Sequence, residues 1–166
     1  MKLTSRFAAS LLACGLAVGL PGRAALAGDA DAFLGSWGLN AAKSTLPQGA
    51  PQVAVTLTVS DAGGGKYKSV TETSVAGQAY KVEITFAIDG KDYAPVVTPA
   101  PPQGMPPTTQ SYQKVSAKSF KSTIKVSGQV AATSTSEVSA DGKVMTIKTS
   151  NAAGGDTLNT LVFDKK

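Results

Sequence analysis

The sequence predicts an all-β fold, an antiparallel up-and-down barrel of about 8–10 short strands. Three observations predict it. Long stretches alternate apolar and polar residues with period 2, as in Val53-Ala54-Val55-Thr56-Leu57-Thr58-Val59-Ser60 and Tyr80-Lys81-Val82-Glu83-Ile84-Thr85-Phe86-Ala87-Ile88. That pattern gives a strand one buried and one solvated face. Turn signals recur between these stretches: Asp61-Ala62-Gly63-Gly64-Gly65, Ala76-Gly77, Asp89-Gly90-Lys91 and Asp141-Gly142-Lys143. No helical pattern longer than about two turns interrupts them. Consecutive hairpins without a crossover make a meander, and rolling the meander shut removes its exposed edges.

The chain starts with a segment that does not belong to this fold. Lys2 and Arg6 form a basic head, Phe7 to Leu20 an apolar middle, and Ala25-Leu26-Ala27 a small-x-small end, the anatomy of a cleaved secretory signal. We read residues 1–27 as signal peptide and 28–166 as a single β-barrel domain, exported to a periplasmic or extracellular location. A rival reading is a lipoprotein signal modified at Cys14 within Leu11-Leu12-Ala13-Cys14. It would leave the apolar Gly15 to Leu20 on the mature protein. The apolar run is too short for a stable bilayer anchor, so no integral membrane span is expected in the mature chain.

Cleavage changes the chemistry. It removes Lys2, Arg6 and Arg23 from the 16 basic residues and none of the 11 acidic ones, so the net charge falls from +5 to about +2. It also removes the only cysteine, and the chain has no histidine. A near-neutral surface without arginine is a poor nucleic-acid binder, since base and phosphate recognition lean on the guanidinium fork. Without cysteine there is no disulfide, so the domain must stand on its apolar core.

The core starts at Phe33-Leu34-Gly35-Ser36-Trp37-Gly38-Leu39-Asn40, which holds the only tryptophan. In an extended strand Phe33, Gly35, Trp37 and Leu39 share one face, and Gly35 lets the backbone approach the indole. Asn40 to Ser44 reads as a short helical turn capped by Asn40 and broken at Pro47–Pro51. Strands follow at 53–60, 66–74 and 80–88. A two-residue turn at Ala76-Gly77 would set Glu72 opposite Lys81 on the outer face. After a hairpin turn at 89–91, residues 92–97 form a short strand carrying Tyr93. Thr98 to Thr109 contains Pro99, Pro101, Pro102, Pro106 and Pro107. Proline cannot donate to a ladder, so this is a stiff exposed loop. Its length suggests a lid, although a tolerated surface insertion is the favoured reading. Strands at 110–115, 119–126, 129–138, 144–149 and 157–164 complete the sheet.

The absence of histidine and cysteine excludes triads, thiol catalysis and the usual zinc and iron ligand sets. Glu72 and Glu83 share faces with lysines and read as solvated wall, and Asp89 and Asp141 read as turn residues. Gly63-Gly64-Gly65 is not at a strand-to-helix junction and reads as a hairpin rather than a phosphate loop. No catalytic residue, metal or cofactor is expected, and the chain is read as a non-enzyme.

What remains is an interior. The inward positions carry Val55, Leu57, Tyr80, Val82, Ile84, Phe86, Phe120 and Ile124, interspersed with hydroxyls at Ser69, Thr71, Thr73, Ser122, Ser134 and Ser136. Small hydroxylated side chains leave space and offer bonds to a weakly polar ligand. The competing reading is a flattened barrel in which they bond to backbone or water. The ligand contacts expected are Tyr67, Ser69, Thr71, Tyr80, Val82, Ile84, Phe86, Tyr93, Tyr112, Phe120, Ser122 and Ile124. Phe33, Gly35, Trp37 and Leu39 are expected to close the barrel.

The run Phe33-x-Gly35-x-Trp37-x-Leu39-Asn40-x-x-Lys43-Ser44 resembles the first strand of the lipocalin and fatty-acid-binding superfamily. There a glycine-x-tryptophan opens the barrel and the ring plugs its closed end. Residues 31–166 look more closely like a group of small exported bacterial lipocalin-like proteins of unassigned function. The shared pieces are that opening, Asp89-Gly90-Lys91-Asp92-Tyr93, Ser139-Ala140-Asp141-Gly142-Lys143, and an ending like Asn159-Thr160-Leu161-Val162-Phe163-Asp164-Lys165. The resemblance implies an eight- to ten-stranded antiparallel barrel. Three departures stand out. Lipocalins usually lay an arginine of the last strand across the tryptophan; here a lysine such as Lys165, or nothing, must do so. Fatty-acid-binding proteins grip the carboxylate with arginines that this chain lacks, which counts against fatty-acid binding. The proline-rich loop is longer than this group usually carries. The reading is a monomeric carrier of a small lipophilic or weakly polar ligand; the alternative is a filled structural or protein-interaction module of the cell envelope.

Overall fold

The computed structural model describes residues 30–46, 54–75, 77–152 and 155–166. The segment read as a signal and the Pro47–Pro51 break lie outside these residues. Ten strands form one antiparallel sheet: β1 (Gly35–Leu39), β2 (Val55–Gly63), β3 (Lys66–Val75), β4 (Gln78–Phe86), β5 (Val96–Thr98), β6 (Thr108–Ser116), β7 (Ser119–Val126), β8 (Gln129–Val138), β9 (Val144–Asn151) and β10 (Thr157–Lys165). Their spatial order is β5-β4-β3-β2-β1-β10-β9-β8-β7-β6. All neighbours are consecutive in sequence except β1 and β10, where Trp37 pairs with Lys165 and Leu39 with Phe163. The first and last strands are thus zipped together, and both arms of the meander curl away from that seam.

The outer ends, β5 and β6, are not laddered to each other. The segment 87–95 bridges them instead. Tyr93 and Gln110 exchange two backbone hydrogen bonds of 2.8 Å, and the Gly90 N–H donates to the Tyr112 carbonyl at 2.9 Å. Outside this seam Lys125 Nζ reaches Asp92 at 2.8 Å. The sheet is thereby rolled into an all-β antiparallel barrel of the lipocalin-like kind. Asp89-Gly90-Lys91 does turn the chain, with the Lys91 N–H on Asp89 Oδ1 at 3.0 Å, but it does not make a tight hairpin. β4 resumes pairing only at β5, and the expected strand 92–97 shrinks to Val96–Thr98. The reason is competition: the backbone of Tyr93 finds its partner on β6, not on β4.

Other expectations hold. The Asn40 side chain accepts from the Lys43 N–H at 3.1 Å and caps the 3-10 turn Ala41–Lys43. Glu72 pairs in register with Lys81, although Lys81 and Lys68 both place their ammonium groups on Glu83, at 3.1 and 2.7 Å. Phe33 departs from its expected place. It lies in the 3-10 turn Asp31–Phe33, not on the strand, because its carbonyl is needed elsewhere: the Trp37 indole N–H donates to it at 2.8 Å.

The strand directions give the barrel two ends. The closed end collects the turn Asp31–Phe33, the chain's last residues and the turns at 64–65, 117–118 and 140–143. Here the core is solid. Trp37, Phe33 and Met145 are fully buried, joined by Ala30, Val59, Tyr67, Ile84, Phe86, Tyr112, Val138 and Phe163. The open end collects the turn Ala41–Lys43, the turns at Gly77 and 127–128, and the proline-rich loop 99–107.

Candidate functional site at the open end of the barrel

Four aromatic side chains expected to line a cavity form its floor instead. Phe86 stacks on Tyr112 with centroids 4.0 Å apart, Phe33 packs on Phe120 at 4.5 Å, and Tyr112 meets Phe120 edge-on at 5.8 Å. Tyr67 lies 6.0 Å from Phe86. Its hydroxyl accepts from the Ala30 N–H at 3.0 Å, pinning the N-terminal turn to β3. Burial pushes the Tyr112 phenol above its ordinary pKa of 10. Ile84 is buried in the same core, and Ser69 sits opposite it in register. Beneath the floor, Lys165 Nζ lies 4.9 Å from the centroid of the Trp37 ring. A lysine of the last strand therefore covers the tryptophan.

Above the floor the interior opens. A cavity of about 760 Å³ lies at the mouth. One wall is the upper interior face of β4 and β5, with Gln78, Tyr80 and Val97, continued by Ala94 and Pro95; Thr108 opens the opposite wall. The roof is the proline-rich loop, from Pro99 to Pro107 with Met105 among the prolines. Met105 is 61% exposed although it faces this space. Tyr80 alone of the expected ligand contacts borders this cavity. Val82 and Thr71 stand one step deeper on the same wall, since Tyr80 pairs with Thr73 and Val82 with Thr71. Tyr93 is in the closing seam, its hydroxyl donating to Asp89 Oδ1 at 3.0 Å. Ile124 pairs with Gln110 beside that seam.

Across the barrel runs a polar line, none of whose members borders this cavity. Asn159, Thr149, Ser134, Ser122 and Tyr112 pair in one continuous line across β10, β9, β8, β7 and β6. Ser134 and Thr149 share a hydroxyl–hydroxyl bond of 3.0 Å. Two buried oxygens have no hydrogen-bond partner among the described residues: Asn159 Oδ1, at the end of this line, and Thr73 Oγ1, facing inward on β3. Neither the cavity lining nor the polar line contains a lysine, aspartate or glutamate.

Charge is held outside. Hydrogen bonds from Lys68 and then Lys81 keep Glu83 below its ordinary pKa of 4.5. Among the described residues no cluster of three histidine, cysteine or acidic side chains could hold a metal, and no helix is long and apolar enough to cross a membrane.

A Gly-x-Trp opening, an antiparallel meander and a plugged floor beneath an open mouth define a calycin-type barrel. Solved structures agree. The chain superposes on fatty-acid-binding protein 1 of Echinococcus granulosus with a TM-score of 0.58 and 19% identity, covering 81% of this chain and 98% of that one. It superposes on a point mutant of the fluorescent protein UnaG with a TM-score of 0.58 and 14% identity, covering 82% and 97%. No protein-family model and no curated protein matches the chain.

Sequence reasoning raises the loop as a lid but favours a surface insertion, and so leaves its residues out of the expected ligand contacts. It takes Met105, Pro106, Thr108 and their neighbours for an exposed loop and Val97 for the end of a strand, and names none of them as a ligand contact. The available signal is compositional: a run of prolines and a methionine with hardly a charged residue is an apolar surface, not a solvated linker.

Proposed function

We propose that this protein is an exported, monomeric carrier that reversibly buries a small lipophilic molecule at the mouth of its barrel, without covalent chemistry. The single observation that carries this reading is the apolar cavity of about 760 Å³ roofed by the proline-rich loop. Its size suits a small organic ligand, and ligand sites of this kind are mostly apolar with a few placed polar groups. The likeness to a fatty-acid-binding protein supports the same reading at the level of fold. Export rests on the signal-like N-terminus.

Titration with Nile red, a neutral lipophilic dye, tests the reading. Saturable binding at one site per chain with blue-shifted emission is expected. Met105→Glu, at an exposed loop position, should weaken it about tenfold by placing a charge against the apolar body of the ligand. Failure to saturate, or binding that Met105→Glu leaves untouched, overturns the carrier reading and favours a filled module.

A further inference from the structure

Beyond the carrier reading, we propose that the tip of the proline-rich loop docks the open end of the barrel onto a zwitterionic lipid surface. Three observations lead there. First, the loop is folded into a tip and held in place. The Met105 N–H donates to the Pro102 carbonyl at 3.3 Å and Gly104 takes φ +88°, so residues 102–105 make a turn. At the base of the loop the Pro107 carbonyl accepts from the Ser127 N–H at 2.8 Å, which ties it to the turn between β7 and β8. Second, this surface is exposed, apolar and uncharged. Every residue from 99 to 107 is exposed. Met105 at the tip is 61% exposed, and Val130 beside the Ser127 turn is 42% exposed. Neither 99–107 nor 127–130 contains a lysine, aspartate or glutamate. Third, the loop has few backbone donors to dehydrate. Five of its nine residues are prolines without an N–H, and Met105 spends its own on Pro102. That leaves the N–H groups of Ala100, Gln103 and Gly104.

These features select among partners. A protein module that reads proline needs an extended stretch with its rings free. Here the turn at 102–105 breaks the stretch, and all five prolines border the cavity. A charged surface finds no counter-charge on the loop. A bilayer interface rewards apolar side chains and penalises backbone donors stripped of water; this loop offers the first and has few of the second. Lys118, Lys143, Lys165 and Lys166 gather at the opposite, closed end. Docking by the neutral end sets the mouth against the lipid, because the same loop roofs the cavity.

Flotation with phosphatidylcholine vesicles tests this. The protein should float with them, half-saturating near about 1 mM lipid, since a few side chains bury less apolar area than the single acyl chain that binds at about 10⁴ M⁻¹. Binding should change by less than about twofold between low and high salt. Gln103 is at the tip and does not border the cavity. Gln103→Glu should weaken vesicle binding about fivefold and Gln103→Leu should strengthen it about threefold. Neither variant should alter Nile red affinity in vesicle-free solution. Absence of flotation, or binding that both variants leave unchanged, would overturn the proposal. Flotation that needs anionic lipid or disappears in high salt would overturn it too, assigning contact to the lysine-bearing closed end. So would a dimer that Gln103→Glu dissolves in the absence of flotation, which would give the surface to a second copy of the chain. Failure of Nile red to bind would bring down the carrier reading alone and leave the docking tip standing.

Discussion

Trp37 shows how one side chain fixes several others. Its ring is fully buried, its N–H is spent on the Phe33 carbonyl at 2.8 Å, and its face is covered by Lys165 at 4.9 Å. Gly35 sits beside it at φ +121°, where a Cβ would come within 3.0 Å of Lys165 Cε. The lysine tip could bend away, so the demand for glycine comes from the backbone angle rather than from the space. Trp37→Ala should cost about 3–5 kcal/mol, the cost of an unfilled aromatic site in a packed core. Urea titration checks this. A loss below about 1 kcal/mol would mean that the closed end collapses around the hole, and that the indole is not its plug. The indole's role was legible because a lone tryptophan next to glycines on an alternating strand has few other uses. The orphan oxygens of Thr73 and Asn159 were not legible. Both residues read as ordinary inward polar positions, and whether a polar atom finds a partner depends on neighbours from other strands.

At the scale of elements, period 2 located nearly every strand, and the turn residues located most hairpins. What it could not locate was the seam. Asp89-Gly90-Lys91 has the same signature as Asp141-Gly142-Lys143, yet the second closes a true hairpin between β8 and β9 while the first sends the chain across to β6. Local turn chemistry is the same in both; the partner differs, and the partner is remote in sequence. Gly90 is the hinge of this crossing, with φ +77° and its N–H bound to Tyr112. A Cβ there would meet only Gln113 side-chain atoms at ordinary contact distance, so the cost of substitution is again in the backbone. Gly90→Val should destabilise the protein by about 1–3 kcal/mol. Hydrogen exchange should quicken at the Tyr93 and Gln110 amides before it quickens between β2 and β3. Unchanged exchange at those two amides would show that the seam does not depend on the hinge.

For the whole molecule, the same alternation that revealed which residues face inward said nothing of their depth. Tyr67, Phe86 and Tyr112 read as well as cavity contacts as they do as floor. Depth follows from register, and register follows from the β1–β10 zipper, which joins Leu39 to Phe163 across almost the whole chain. Composition was a better guide to the electrostatics. Glu83, Asp89, Asp141 and Asp164 all have lowered pKa values, caused first by a hydrogen bond from Lys68, the Lys91 backbone, Ser139 and Asn40 respectively. A carboxylate lowered in the folded state contributes stability above its unfolded pKa and loses it as pH falls through the folded value. Asp89 and Asp141 are exposed and Glu83 and Asp164 only half-buried, so the loss should be shallow and confined to acid below the ordinary carboxylate range. With no histidine in the chain, little should titrate between about pH 5 and 8. The mouth has no charged lining residue, so binding should follow the same rule. The Nile red affinity should change by less than about twofold between pH 5.5 and 8, and equally little between low and high salt, because screening acts only on charges. A carrier that gripped a carboxylate with lysines would behave otherwise, losing affinity steeply as salt rose. A tenfold salt or pH effect on the neutral dye would therefore place a charged group at the site that the cavity lining does not contain, and would move the binding site elsewhere on the molecule.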